Sequence, residues 1–161
     1  MNIRRAEKRD IDRIVALLCQ VLEIHAKIRP DIFIPGTTKY TAEELEKMIA
    51  DDSNPIYVAE DEEGVSGYAF CRVKEPEKSN NARPFRSLYI DDLCVDASRR
   101  GRHIGSQLFG FVKKEAEKLG CYEITLNVWA GNEAAERFYE NLGMKTKFRQ
   151  MELILKGDET E

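Results

Sequence analysis

The sequence predicts a mixed α/β domain, and three observations point there. Apolar residues alternate in some stretches and recur at helical spacing in others, in the order β-α-α-β-β-β-α-β-α-β. The strand, loop, helix and strand over 88–129 have the make-up of a parallel crossover. A chain of 161 residues, 42% apolar and 34% charged, has room for one sizeable core.

Residues 2–6 read as the first strand, with Asp10 as the cap of a helix whose buried stripe is Ile11, Ile14, Val15, Leu18 and Leu22. Pro30 and Pro35 end that helix. Thr41 and Glu44 form a capping box that starts a second, short helix. "IYVAEDEEGVSGYAFCRV" is an antiparallel hairpin turning at Glu63-Gly64, and the polar stretch 76–86 is a loop. "SLYIDDLCV" is the next strand, followed by a helix over 104–119 with Gly120 at its C-cap. "CYEITLNVW" alternates Ile124, Leu126 and Val128 with Glu123, Thr125 and Asn127, so its two faces differ. "GNEAAERFYENLG" is a helix with Asn132 near its cap and Gly143 at its end, and a last strand over 144–155 is expected to complete a domain spanning 1–156. The residues "GDETE", 157–161, read as a frayed tail.

Composition excludes several roles. No run of about 18 apolar residues is present, so no membrane span is expected. The charged N-terminus lacks the apolar core of a signal peptide, which points to the cytoplasm. Cys19, Cys71, Cys94 and Cys121 have no C-x-x-C spacing and read as reduced core thiols, so neither disulfide nor metal is expected. A net charge of -4 argues against nucleic acid as a partner and is compatible with a cationic substrate.

"ASRRGRHIGSQL", residues 97–108, carries the chemistry. It lies at the carboxyl end of a strand and leads into a helix, where unpaired backbone N–H groups and the helix dipole favour an anion. Gly101 and Gly105 keep side chains away from those amides, and Arg99, Arg100 and Arg102 add positive charge, which together describe a cradle for a pyrophosphate. Neither the P-loop pattern nor G-x-G-x-x-G occurs.

"VDASRRGRHIGSQL" resembles motif A of the GNAT family of N-acetyltransferases, in which R/Q-x-x-G-x-G/A binds the pyrophosphate of acetyl-CoA through backbone amides. The matching residues are Arg100, Gly101, Arg102, His103, Ile104 and Gly105, continuing into Ser106; His103 stands where the pattern has glycine, and histidine tolerates positive φ better than most residues. "LNVWAGNEAAERFYENLGM" resembles motif B, with Asn132, Ala135 and Tyr139 on its N-x-x-A-x-x-x-Y positions. "IRRAEKRDIDRI" is similar to the family's first strand and helix, so the resemblance covers nearly the whole chain.

The resemblance implies a mostly antiparallel central sheet with a parallel, splayed strand pair, flanked by helices: the acyl-CoA N-acyltransferase fold. The splayed strands are Leu88 to Val95 and Cys121 to Trp129, with the pantetheine arm between them. Leu93, Cys94 and Val95 offer backbone groups to the arm and thioester, Asn127 faces them, and Cys94 is a wall residue rather than a nucleophile. Asn132 binds the cofactor, caps its helix, or does both. Tyr139 is the acid that protonates the CoA thiolate. A base is needed because an alkylamine is protonated at neutral pH. Similarity to the diamine acetyltransferase branch, E-D-L/I-Y-V, places Asp91 on the catalytic glutamate; Asp92 is the other candidate base or orients a cationic substrate, and strand alternation leaves one of the two in the cleft. The acceptor, a small cationic amine with a protein lysine or N-terminus as the alternative, is expected to enter over the first two helices and the 76–86 loop, with His25 as a packing residue only; a catalytically silent domain that senses CoA is the other reading left open. Many members of the family are dimers, so a homodimer is an open expectation.

Overall fold

A computed structural model describes residues 1–156. The elements are β1 (Asn2–Arg5), α1 (Ile11–Ile28), α2 (Ala42–Ile49), β2 (Ile56–Asp61), β3 (Gly64–Lys74), β4 (Ser87–Val95), α3 (Ile104–Lys118), β5 (Glu123–Leu126) and α4 (Glu133–Asn141). The strands form one sheet in the order β1-β2-β3-β4-β5, antiparallel except for the parallel pair β4 and β5. Both the mixed sheet and the parallel crossover are therefore as the sequence predicts. The tail expected at 157–161 lies outside the described residues.

Each face of the sheet carries its own core. Ile14, Leu17 and Leu18 of α1 and Leu45 of α2 pack with Val58, Tyr68, Phe70 and Cys94 on one face. Leu108, Phe109 and Val112 of α3 pack with Ala69, Cys71, Leu88 and Ile90 on the other. A strand covered on both sides is apolar throughout rather than alternating, which is why Val65 to Cys71 are all buried.

Local signals hold in part. Thr41 and Glu44 form the capping box: the Glu44 N–H donates to Thr41 Oγ1 at 3.2 Å and the Thr41 N–H to Glu44 Oε2 at 2.7 Å. Asp10 stands at the N-cap of α1, as expected, but its side chain makes no capping bond to that helix. Its buried carboxylate accepts from the Arg4 guanidinium at 2.8 and 3.0 Å and from the Glu7 N–H at 2.8 Å, tying β1 to the single 3-10 turn before the helix. The hairpin turns at Glu62–Glu63, one residue earlier than expected, because Gly64 pairs with Asp61 as the first residue of β3.

The last strand does not form. Residues 145–156 carry no regular secondary structure, and none of their backbone groups bonds to another backbone group among the described residues. Alternation states which faces would match, but a strand also needs an edge within pairing distance. Among the described residues, ion pairs tie this segment down, Lys147 with Glu123 and Glu152 with Arg29.

Candidate active site

The site is opened by an irregularity in β4. Cys71 faces Ile90 and Phe70 faces Asp92, so Asp91 is an extra residue with no partner on β3: a β-bulge. Pairing with β5 stops at the same place. Ser87 to Ile90 match Glu123 to Leu126, whereas Asp91 to Val95 have no partner on that side. The two strands thus part after four residues and leave the backbone of Asp91 to Val95 lining a cleft of about 1040 Å³.

The far end of the cleft is the turn into α3. Asp96 shapes its start: its carboxylate accepts from the Ser98 N–H and hydroxyl, both at 3.0 Å, and from the Arg13 guanidinium. Gly101 has φ +80° and His103 φ +60°, ψ +18°, the left-handed region. That conformation turns the chain into α3 while the His103 side chain caps nothing. Among the described residues, no acceptor takes the N–H groups of Gly101 to Ser106. Arg100, Gly101, His103, Ile104, Gly105 and Ser106 all line the cleft. The N-terminus of a long helix with free amides is a seat for an anion, here at the end of a slot in a parallel strand pair.

Two details differ from expectation. Arg99 turns away from the cleft, to Asp61 at 2.9 Å and Glu63 at 3.3 Å, and so anchors the turn to the β2–β3 hairpin; Arg102 is exposed and does not line the cleft. Gly105 owes its identity to packing: an added Cβ would lie 3.0 Å from Phe138 Cζ and 3.5 Å from Val95 Cγ2, so α4 seats directly on the first turn of α3.

At the other end stand the titratable groups. Both Asp91 and Asp92 line the cleft, against the expectation that alternation admits one. The extra residue of the bulge puts both carboxylates on the α1 and α2 side of the sheet. Tyr40 donates to Asp91 at 2.5 Å, Lys39 Nζ lies 3.1 Å from it and Arg72 3.6 Å. Asp92 receives the Tyr68 hydroxyl at 3.0 Å, and burial pushes its carboxyl up to about 6, against the opposing pull of Lys39 and Tyr68. Tyr139, on α4, lies against Phe138 and Phe109 with ring centroids 5.0 and 6.3 Å away. Burial, reinforced by the charge of Asp92, raises its phenol well above the ordinary tyrosine range. Cys94 is a buried wall residue whose thiol burial drives up to about 12, which leaves it no thiolate character.

Leu93, Cys94, Val95, Asn127, Asn132 and Ala135 complete the expected set, and all line the cleft. Asn132 also caps α4, accepting the Ala135 N–H at 3.3 Å. Residues the sequence reading passed over form the remaining wall. The α1–α2 connection contributes Phe33 and Lys39, whereas the 76–86 loop stays outside. His25 is more than packing: it lines the cleft, 5.3 Å from the Phe33 ring, which in turn meets Trp129 edge-on at 5.3 Å. Burial lowers the His25 pKa, favouring the neutral ring. These residues belong to no motif; the one available signal was the aromatic and apolar content of "IFIPG" and the lone tryptophan.

Comparison with known proteins agrees with this geometry. The Bacillus subtilis (strain 168) protein YwnH, whose name marks it as a candidate phosphinothricin acetyltransferase, is 27% identical over 146 residues, 89% of this chain and 83% of its own. A glucosamine 6-phosphate N-acetyltransferase from Arabidopsis thaliana is 33% identical over 63 residues, 39% of this chain and 40% of that protein. A crystal structure of a mutant BH1408 protein from Bacillus halodurans superposes with a TM-score of 0.93 at 29% identity, covering 97% of this chain and all of that one. Residues 18–144 match the family described as acetyltransferase (GNAT), and the chain belongs to that family of acetyl-transferring enzymes.

Proposed function

We propose that the protein transfers an acetyl group from acetyl-CoA to a primary amine of a small molecule, by direct attack in a ternary complex. The observation that carries this reading is the shared cleft: a slot between parting parallel strands, uncapped amides at one end, and Asp92 with Tyr139 at the other. The amides of Gly101 to Ser106 would hold the pyrophosphate, with Arg100 beside them. Backbone groups of Leu93 to Val95 would receive the pantetheine arm and the thioester oxygen.

In this reading the amine nitrogen loses a proton to Asp92, directly or through water, and attacks the carbonyl carbon. The C–S bond then breaks, Tyr139 gives its proton to the departing thiolate, and the second proton of the acylated nitrogen passes to the Tyr139 phenolate. The products are an amide and CoA. Asp92 suits the base because a carboxyl near 6 is ionised at neutral pH yet a stronger base than an ordinary aspartate. Asp91 suits it less, its charge being shared by Lys39, Arg72 and Tyr40. For the same reason Asp91 has no charge to spare for a second ammonium, which favours a monoamine over a diamine. The relatives named for phosphinothricin and glucosamine 6-phosphate support a small-molecule acceptor. Four free cysteines suit a cytoplasmic enzyme.

The test is acetyl-CoA consumption across a panel of aminosugars, amino acids, diamines and a lysine peptide, beside calorimetric titration with CoA. Turnover with a small monoamine supports the reading. Heat from CoA without turnover of any amine would recast the protein as a CoA-binding sensor, and no heat at all would remove the reading's foundation.

A further inference from the structure

CoA and the proton transfers leave one wall of the cleft without a role. Where the chain runs from α1 to α2, Ile32, Phe33 and Ile34 line the cleft, and Trp129, just beyond β5, lines it with them. Large apolar side chains are normally covered, yet Ile32, Ile34 and Trp129 are 46, 70 and 37% exposed. Exposed apolar groups gathered in a concave site mark a surface for a ligand. The rings form a continuous run, with His25 5.3 Å from Phe33 and Phe33 edge-on to Trp129 at 5.3 Å.

This wall offers no charge to an acceptor. Among the described residues, the lysine and arginine side chains lining the cleft are Lys39 and Arg100. Lys39 Nζ lies 3.1 Å from Asp91 Oδ2 and donates to the Asp91 carbonyl at 3.2 Å, so its charge is taken; Arg100 stands with the free amides at the other end. Arg72 and Arg29 lie outside the cleft, Arg72 donating to the Tyr40 hydroxyl at 3.1 Å and Arg29 held by Asp31 at 2.6 Å and Glu152 at 2.7 Å. A carboxylate or phosphate on the acceptor would lose its water here and find no partner.

We infer, resting on the acetyl transfer proposed for this cleft, that the acceptor is a hydrophobic monoamine: an alkylamine or arylalkylamine whose apolar body lies on Ile32, Phe33, Ile34 and Trp129 while its nitrogen faces Asp92. Such a body is held by shape and by the exclusion of water, which asks no charge of the wall. The same surface serves the chemistry. An ammonium drawn against apolar side chains loses hydration and with it part of its hold on the proton, so Asp92 receives that proton more readily. An aminosugar phosphate or an amino acid gains little from these side chains and leaves its anion unpaired.

Acceptors matched in pairs separate body from charge. With acetyl-CoA saturating, kcat/KM is expected to be roughly 10- to 100-fold higher for phenethylamine than for ethylamine, the worth of covering one ring. It is expected to exceed that for phenylalanine, the same skeleton with a carboxylate added, by roughly 100-fold. Trp129 is the sole tryptophan, so its fluorescence reports on the wall without turnover. In the CoA-loaded protein, phenethylamine is expected to shift that emission to shorter wavelength by displacing water, and glucosamine 6-phosphate to leave it unmoved. Ile34→Lys, at an exposed position, gives the wall a cation and is expected to lower the preference for phenethylamine over phenylalanine several-fold. A higher kcat/KM for glucosamine 6-phosphate, phenylalanine or a lysine peptide than for phenethylamine overturns the inference and leaves acetyl transfer standing. Emission that saturating phenethylamine does not move overturns it as well. Heat from CoA with turnover of no amine removes the acetyl transfer, and the inferred acceptor with it.

Discussion

Asp91 and Asp92 are neighbours in β4 and share one face of the sheet, yet Asp91 is held by Tyr40, Lys39 and Arg72 while the one side chain donating to Asp92 is the Tyr68 hydroxyl, 3.0 Å away. That difference separates their roles. In the proposed reaction Asp91, held by its three partners, braces one side of the cleft, and Asp92 is the carboxylate that takes the proton.

The kinetics should follow the Asp92 carboxyl. With its pKa raised to about 6, kcat/KM is expected to rise with pH on an acidic limb centred near that value and to level off above it. Asp92→Asn should abolish the limb and lower kcat by roughly 10²- to 10⁴-fold. Asp91→Asn should keep the limb and act mainly on KM. Stability should move the other way. A carboxyl whose folded pKa lies above its ordinary 3.8 binds its proton more tightly in the native state, so stability falls as pH rises from 3.8 through about 6. Asp92→Asn is therefore expected to raise Tm at neutral pH by about 2–4 °C, read by calorimetry.

Tyr139→Phe keeps the ring that packs on Phe138 and Phe109 and removes only the hydroxyl. Tm and the affinity for CoA should hold, while kcat falls by about 100-fold or more. Because the phenol titrates well above its ordinary range, any alkaline limb below pH 10 should persist in the variant. Equal activity in variant and wild type would remove Tyr139 from the reaction.

Gly101 and Gly105 should fail for different reasons. Gly101→Ala meets no neighbour but keeps φ +80°, at a cost of about 1–2 kcal/mol. Gly105→Ala presses on Phe138, an overpacking cost of about 1–3 kcal/mol. Adding Phe138→Leu should recover stability for Gly105→Ala and not for Gly101→Ala, as urea unfolding would show.

Asp96 should matter for cofactor affinity without lining the cleft. Its carboxylate organises Ser98 and Arg13, and Asp96→Ala is expected to cost about 1–3 kcal/mol and to weaken CoA binding several-fold in calorimetry. The Ser98 N–H, hydroxyl and Arg13 hold this carboxyl down to about 2. Its folded pKa lies below 3.8, so its stabilising effect is full above that value and lost as pH falls towards about 2. Acid unfolding of Asp96→Asn should lack that component.

Much of this was legible in the sequence, because it rests on local chemistry. The order of elements follows from periodicity, and the loop from Arg100 to Ser106 from glycine and helix-start signals. The bulge at Asp91 was not legible, since it exists only relative to Phe70 and Cys71 on another strand. Nor was the fate of Arg99, whose partners Asp61 and Glu63 are distant in sequence. Phe33, Lys39 and Trp129 became wall residues through tertiary placement alone. The last strand does not form although its pattern is sound, because alternation states which side chains match and not whether the backbone reaches an edge.

The bulge decides which side of the sheet β4 presents its carboxylates to. Excising Asp91 would leave Ile90 and Asp92 opposite Cys71 and Phe70, as they are now, but in plain alternation along β4. The ladder to β3, which now resumes at Asp92, would then run without interruption from Ser87 to Val95. One extra residue is what sets two neighbouring carboxylates on the same side of the sheet.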